Sequence, residues 1–396
     1  MPNPGINAPS SDDLVRAAAS AGPVLREHAA WAEKNRRLHD DTIAALSEAG
    51  VFRLRTPARY GGYEAPAATL VDVATELARG DAAAAWTASV YWIPTWMAGL
   101  FPTQAQDEVF TGPDSRICGT LSPGGTAVPT DGGIVVNGRW GFISGYWHAE
   151  WQEIIAVQVD PDGEAEPMPV MALVPTAQLR VVDDWHTSGL RGTGSVSTVA
   201  DELFVPAHRV VPLGAVLEGA DPSADAGAAM HSAPLLPVAS ASSVGTAIGL
   251  ARGAVEAFLQ RMPDRKITYT GYESQAEAPL THLQVSEATM KADEAAFHAH
   301  RLASDVDTKV AAGDPWKVAE RVRARADMGA AVRLAKEVAD LVGSASGGSS
   351  IYEGVPIQRI VRDIHAINLH ALMHPNTNAE LHGRILCGLE PDTLYV

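Results

Sequence analysis

Cysteine is scarce in this chain: only Cys118 and Cys387 occur in 396 residues, far apart and without a CxxC partner. That excludes a disulfide framework and a cysteine-built zinc site, and the usage suits a reducing cytoplasm. Positive charge is short as well, with 30 Lys and Arg against 47 Asp and Glu for a formal net charge of −17. Such a field repels phosphate backbones and anionic lipid heads, and no local basic stripe offsets it. Neither nucleic acid nor a membrane surface is expected as a partner. Long apolar runs are missing too. Nothing approaches the roughly 18 residues that a membrane-spanning helix requires, and the first thirty residues carry no basic segment followed by an apolar one. The motifs of common nucleotide enzymes and hydrolases are absent. Gly192-Thr193-Gly194 continues as Ser195-Val196-Ser197 and fails GxGxxG, Gly343-Ser344-Ala345-Ser346-Gly347 has alanine where a nucleophilic serine belongs, and neither a Walker A loop nor HExxH occurs.

What is present is enough apolar residue, 46% against 19% charged, to bury a sizeable core. From about Asp12 to Phe110 the chain is Ala-rich and helical in period, with a turn at Arg59-Tyr60-Gly61-Gly62-Tyr63 and a capping Asp81 ahead of an apolar run from Ala82 to Leu100. Turn signals then crowd together at Ser122-Pro123-Gly124-Gly125, Asp131-Gly132-Gly133 and Asn137-Gly138. Between and after them lie short β-rich runs: Gly133–Trp140, Glu153–Val159, Pro169–Val174, Leu179–Val182 and Ser197–Val205. Their spacing, with no helical pattern between them, predicts an antiparallel all-β unit. A loose Ala/Ser/Asp/Pro stretch from Pro212 to about Pro237 reads as a long loop. Helical periodicity then resumes; between Lys317 and Val342 the positions Val318, Val322, Ala326, Ala330, Leu334, Val338 and Val342 form a stripe at i+4, as in a bundle helix. His365, His370, His374 and His382 crowd one stretch without Cys, Asp or Glu at metal spacing, so no metal site is expected.

Three stretches together resemble the acyl-CoA dehydrogenase superfamily. They are Leu46-Ser47-Glu48-Ala49-Gly50-Val51-Phe52 through Pro57 to Tyr60-Gly61-Gly62; Gly138-Arg139-Trp140-Gly141-Phe142-Ile143-Ser144-Gly145 with Ala149, Trp151, Trp185, Gly189, Arg191 to Ser195 and Phe204-Val205-Pro206; and Pro356-Ile357-Gln358-Arg359 with Arg362-Asp363 and His370. Each fragment is weak alone, but their order spans about 330 residues. The resemblance implies an α+β, mostly helical fold: an N-terminal helical domain over residues 1–115, a central antiparallel β-barrel domain over 116–212 and a C-terminal four-helix bundle over 213–396, with bundles associating into a homotetramer.

Within the superfamily the chain more closely resembles the oxygenase halves of two-component aromatic hydroxylases. The dehydrogenases commonly carry a glutamate shortly after the final Arg-Asp, whereas this chain reads Leu369-His370-Ala371-Leu372 there, and Ile351-Tyr352-Glu353-Gly354 lies on the wrong side of Arg362-Asp363. A histidine seven residues after the Asp fits the monooxygenase pattern. The implied activity is hydroxylation of an aromatic or indole-like substrate by O2 through a flavin C4a-hydroperoxide. The cofactor would be reduced FAD or FMN, supplied by a separate NAD(P)H-dependent flavin reductase. Acyl-CoA dehydrogenation and N- or S-oxygenation are the alternatives on the same fold.

The family pattern implies that Ser144 contacts the flavin N5, flanked by Phe142 and by Gly145, which lets backbone approach the ring; an ordinary serine at a strand end is the plain alternative. His370 is the expected polar group near the reacting flavin and substrate, its imidazole protonating or not with small environmental shifts. Where many relatives carry a second histidine, this chain has Pro94. Arg191, Thr193 and Ser195 in a tight turn suit phosphate or ribityl oxygens as well as they suit a simple turn. Arg261 or Arg265 is positioned for pyrophosphate or adenosine, or is a solvated surface group. Gly347, Gly348 and Ser349 fit the family's subunit-crossing nucleotide site and fit a helix-breaking loop equally well. Aromatics cluster at Tyr91, Trp92, Trp96, Trp147 and Trp151; Trp92, Trp96 and Trp147 are candidates to wall the substrate pocket, with core packing the competing use.

Overall fold

The computed structural model describes residues 9–160, 163, 166–219 and 229–396. The chain opens with α1 (Ser11–Asn35), started by a reciprocal capping box between Ser10 and Asp13, then α2 (Asp40–Glu48) and α3 (Ala67–Gly80). Next is α4 (Ala82–Ala98), whose cap is Asp81 as expected: its carboxylate accepts from the Ala84 N–H at 3.0 Å. This helix is apolar all round and continues through Pro94. Every residue but Val90 and Ile93 is buried, as a helix enclosed by its own protein requires. A short α5 (Thr103–Val109) leads into the sheet.

Among the described residues eight strands follow: β1 (Ile117–Gly119), β2 (Gly125–Thr130), β3 (Gly133–Ile143), β4 (Trp151–Gln158), β5 (Met168–Pro175), β6 (Arg180–Val182), β7 (Val196–Pro206) and β8 (Val210–Pro212). Their order across the sheet is β6-β7-β3-β2-β4-β5-β8, with β1 on the side of β4. The expectation of a wholly antiparallel unit is corrected here. The β2–β3 hairpin is antiparallel, but the chain returns on the far side of β2, so β1 and β2 both run parallel to β4, with Ile117 opposite Trp151 and Gly125 opposite Ala156.

The stretch expected to be a loop after Pro212 is helical in its described parts. It contains α6 (Leu213–Glu218) and a helical turn over Ala229–Ser232, and residues 220–228 lie outside the described part. Then come α7 (Leu235–Arg261), α8 (Pro279–Ala312), α9 (Val318–Ala345), α10 (Pro356–Asn368) and α11 (Pro375–Leu386). Helix α7 brings Gly245 and Gly249 close against α3. A Cβ on Gly249 would stand 2.2 Å from the Thr75 carbonyl oxygen, so the two backbones nearly touch.

Helix α9 packs against α7, α8, α10 and α11. Its expected stripe is therefore too narrow: Ala324, Met328, Ala331, Ala335 and Ala339 are buried beside Val322, Leu334, Val338 and Val342, while Val318 is exposed. On α8 the buried face is alanine, at Ala288, Ala292, Ala295, Ala299 and Ala303, and the outward face carries Leu280, Leu283, Met290 and Phe297. One apolar cluster joins the three regions, from Phe101 and Trp96 through Ile117 and Leu173 to Leu236, Leu302 and Val338. Among the described residues no helix is long and apolar enough to cross a membrane.

Candidate active site

A cavity of about 520 Å³ opens where α4, the β1–β2 connection, the end of β3, α7, α9 and the segments after α10 meet. Its size is that of a site for a drug-sized ligand. Val90 and Ile93, the two residues of α4 not fully buried, face it together with Trp86, Pro94 and Met97. The opposite sides are formed by Gly119 to Pro123, by Phe142 and Ser144, by Leu236, Ser243 and Arg325, and by His370 to Leu372. At Pro94 this wall is apolar.

Strand β3 leaves its ladder with β7 at a bulge between Trp140 and Ile143. Within the bulge Phe142 adopts φ 62°, a left-handed backbone that costs a non-glycine residue about 1–2 kcal/mol. The distortion turns the Phe142 ring outward, 74% exposed at the cavity and edge-on to Trp185 at 5.8 Å. It also tucks Ser144 inward. The buried Ser144 hydroxyl accepts from the Trp86 indole N–H at 3.2 Å and lies 2.7 Å from the Ser195 hydroxyl, which lies 2.6 Å from that of Thr193. Trp86 also meets His370 edge to face, with ring centroids 5.1 Å apart.

His370 follows the last turn of α10, where its N–H closes on the Ile367 carbonyl. Its imidazole opens onto the cavity, where the residue is exposed, and makes no hydrogen bond with a described residue. Desolvation pushes it down to about 4, so the ring is neutral at pH 7 and offers one N–H donor and one bare nitrogen. On the same helix the buried Asp363 accepts from the Leu190 N–H at 2.6 Å. Burial and then the nearby Asp81 push its carboxyl up to about 7, against the pull of Arg359 and Arg362.

The other sequence candidates are distributed differently. Gly145, with φ 75°, is not in the cavity wall: the Tyr91 hydroxyl donates to its carbonyl, and a Cβ there would stand 2.5 Å from that hydroxyl. Thr193 and Ser195 are buried behind Ser144, with the Thr193 hydroxyl donating to the Leu190 carbonyl at 2.8 Å, so the turn does not present them to a phosphate. Arg191 faces a minute internal pocket shared with Glu33, Asp81, Arg359 and Asp363. Trp92 and Trp96 are fully buried, and their indole N–H groups donate to the carbonyls of Val51 and Met230. Neither borders the cavity, because both ring faces are occupied by core. Trp147 is half-exposed against Tyr146, also outside the cavity. Arg261, Arg265 and Ser349 do come together, both guanidinium groups donating to the Ser349 hydroxyl beside Gly347, at a place remote from the cavity wall.

Three further residues shape the cavity. Trp86 stands in a helix that is apolar all round, so no pattern in the sequence marks its face. Arg325, buried on the apolar side of α9 three residues after Val322, donates to the Asn378 side chain and to the Tyr395 carbonyl; a charge on an apolar stripe was its legible signal. Tyr395 donates to the Leu121 carbonyl at 2.7 Å and so ties segment 392–395 across the cavity, a contact with no local signature.

Cavity carboxylates are confined to the rim. Glu380 and Asp392 each have side chains 58% exposed, with Arg384 at 3.9 Å from both. Among the described residues lining the cavity, Glu380 and Asp392 are the only carboxylates. In comparisons with family models, residues 13–112 match the acyl-CoA dehydrogenase N-terminal domain and residues 241–375 its C-terminal domain. The chain is 31% identical over 363 residues to the oxygenase subunit HsaA of a flavin-dependent monooxygenase from Rhodococcus jostii, covering 91% of this chain and 94% of that one. It is 30% identical over 395 residues to the oxygenase component of an FADH2-dependent resorcinol hydroxylase from a Rhizobium species, covering 96% of each. Among solved structures it is similar to XiaF from a Streptomyces species in complex with FADH2 and glycerol, with TM-score 0.88, 29% identity and 97% of each chain covered. The chain belongs to the acyl-CoA dehydrogenase family, in its branch of flavin-dependent monooxygenase oxygenase components.

Proposed function

We propose that this chain is the oxygenase component of a two-component monooxygenase and hydroxylates an electron-rich aromatic or indole-like carbon with reduced FAD or FMN. One observation carries the reading: Ser144 and a neutral His370 face a single cavity, bridged by a Trp86 that bonds to one and packs against the other. The residues fit the cofactor. Flat rings at Trp86 and Phe142 suit a planar heterocycle, and Ser144 has a lone pair left to meet a ring N–H. Reduced flavin supplies two electrons to O2, so that one oxygen atom enters the substrate and the other leaves as water.

The chain's own part is binding, dryness and proton placement. Apolar Val90, Ile93, Pro94, Met97 and Leu236 exclude water, which protects reactive oxygen species from loss as peroxide. His370, held neutral, donates through one nitrogen and accepts through the other. Arg325 and Tyr395 hold the wall on which the substrate rests. Arg261 and Arg265 at Ser349, remote from this cavity, would meet phosphate oxygens of a flavin seated in a neighbouring subunit of the tetramer. The outward apolar face of α8 supports self-association into a homotetramer. A separate flavin reductase, consistent with oxygenase components among the relatives, delivers the reduced flavin, and two free cysteines suit a cytoplasmic setting.

The test combines the protein with a generic flavin reductase, NADH, air, FAD or FMN, and a panel of phenols and indoles. A product heavier by about one oxygen atom is expected, and Ser144→Ala should divert turnover toward hydrogen peroxide. No oxygen-dependent product with either flavin, together with anaerobic bleaching of bound oxidised flavin by an acyl-CoA, would overturn the reading in favour of a dehydrogenase.

A further inference from the structure

The hydroxyls behind Ser144 have a direction that proton counting settles. Three short oxygen–oxygen contacts run in series: Ser144 to Ser195 at 2.7 Å, Ser195 to Thr193 at 2.6 Å, and Thr193 to the Leu190 carbonyl at 2.8 Å. Each needs one hydrogen between its oxygens. A carbonyl has none to give, so the Thr193 hydrogen points to Leu190. Ser195 must then donate to Thr193, and Ser144 must donate to Ser195. All three hydroxyl hydrogens are used inside the wall. Trp86 occupies one lone pair of the Ser144 oxygen, and the other remains for the cavity.

The end of the series is firmly placed. Leu190 holds a left-handed backbone at φ 51°, its N–H is bound by the buried Asp363 of α10, and its carbonyl also receives the Trp185 indole N–H at 3.1 Å. Helix α10 therefore fixes the last acceptor, and the acceptor fixes the polarity of the whole series.

We propose that Thr193 and Ser195 are positioning residues that hold Ser144 as a hydrogen-bond acceptor, so that the cavity favours reduced over oxidised flavin. This rests on the flavin reading above. Reduced isoalloxazine carries an N–H at N5, which an acceptor satisfies. Oxidised isoalloxazine has a bare nitrogen there, which would face the Ser144 lone pair across a dry wall, an unfavourable pairing. The oxygenase thus takes up the form that a reductase supplies and releases the spent one without any movement of the wall.

Anaerobic titration of the protein with reduced and with oxidised FAD and FMN, followed by absorbance and fluorescence, measures the preference as a ratio of dissociation constants. The wild type should favour the reduced form. Thr193→Val keeps the shape but removes the hydroxyl; Ser195 then turns its hydrogen to Ser144, and Ser144 turns its own to the cavity. The ratio should fall about tenfold, equivalent to about 1.4 kcal/mol, whereas Thr193→Ser keeps the series and should keep the ratio. Ser195→Ala, with an intact unfolding profile as control, should behave as Thr193→Val does. A ratio within twofold of wild type in both disrupting variants would overturn the proposal while leaving flavin binding intact. Failure of the wild type to bind either form would instead overturn the flavin reading itself.

Discussion

His370 makes the sharpest prediction because its surroundings oppose its charge. A free histidine has a pKa near 6.5, and desolvation at the cavity wall pushes this one down to about 4. At pH 5 about a tenth of the folded molecules would carry the proton, against nearly all of the unfolded ones. Between pH 6.5 and 4 the unfolded chain binds a proton that the native state refuses, so this residue's contribution to stability is present above 6.5 and is lost as the pH falls through that window. The buried Asp363, pushed up to about 7, acts oppositely: its native form holds a proton, so its contribution is lost as the pH rises through 7. A difference measurement separates the two. Urea unfolding of wild type and His370→Asn at pH 7 and pH 5 should show the wild type losing more stability than the variant on acidification. Histidine-selective NMR, with the His370 signal identified by its loss in the variant, should show no midpoint near 6.5. Oxygenation should stay insensitive to protonation at this position between pH 6 and 8, while His370→Ala, lacking both donor and acceptor, should slow it by about 10²-fold or more. A His370 resonance titrating near 6.5, or wild-type rates in His370→Ala, would refute the assignment.

Gly145→Ala should destabilise the protein by about 2–5 kcal/mol in urea unfolding: its φ of 75° disfavours a side chain, and the new Cβ would stand 2.5 Å from the Tyr91 hydroxyl. A loss below about 0.5 kcal/mol would mean that Tyr91 does not confine this turn. Phe297→Asp on the outward face of α8 should shift the native mass to a smaller species in light scattering, since it puts a charge into the stripe formed with Leu280, Leu283 and Met290. A wild type that is already monomeric, or an unchanged mass in the variant, would remove α8 from the interface.

The amino-acid sequence by itself determined the local choices. Asp81 caps α4 because its carboxylate accepts from the Ala84 N–H in the first turn of its own helix, and the Gly/Asn/Asp clusters place the hairpin because those residues relax the backbone there. Family motifs brought Phe142, Ser144 and His370 to notice, and all three reach one cavity. Tertiary structure decided whatever depends on which neighbour fills the space. Trp92 and Trp96 stand on the same helix as Trp86, yet core encloses the first two and the cavity receives the third, a difference of helix face that an all-apolar segment does not encode. Likewise Thr193 and Ser195 look open to a ligand in sequence, and only the approach of α10 through Asp363 and Leu190 turns them inward. Hydroxyls carry either polarity until a fixed acceptor chooses one, and that acceptor lies 173 residues from its anchor along the chain.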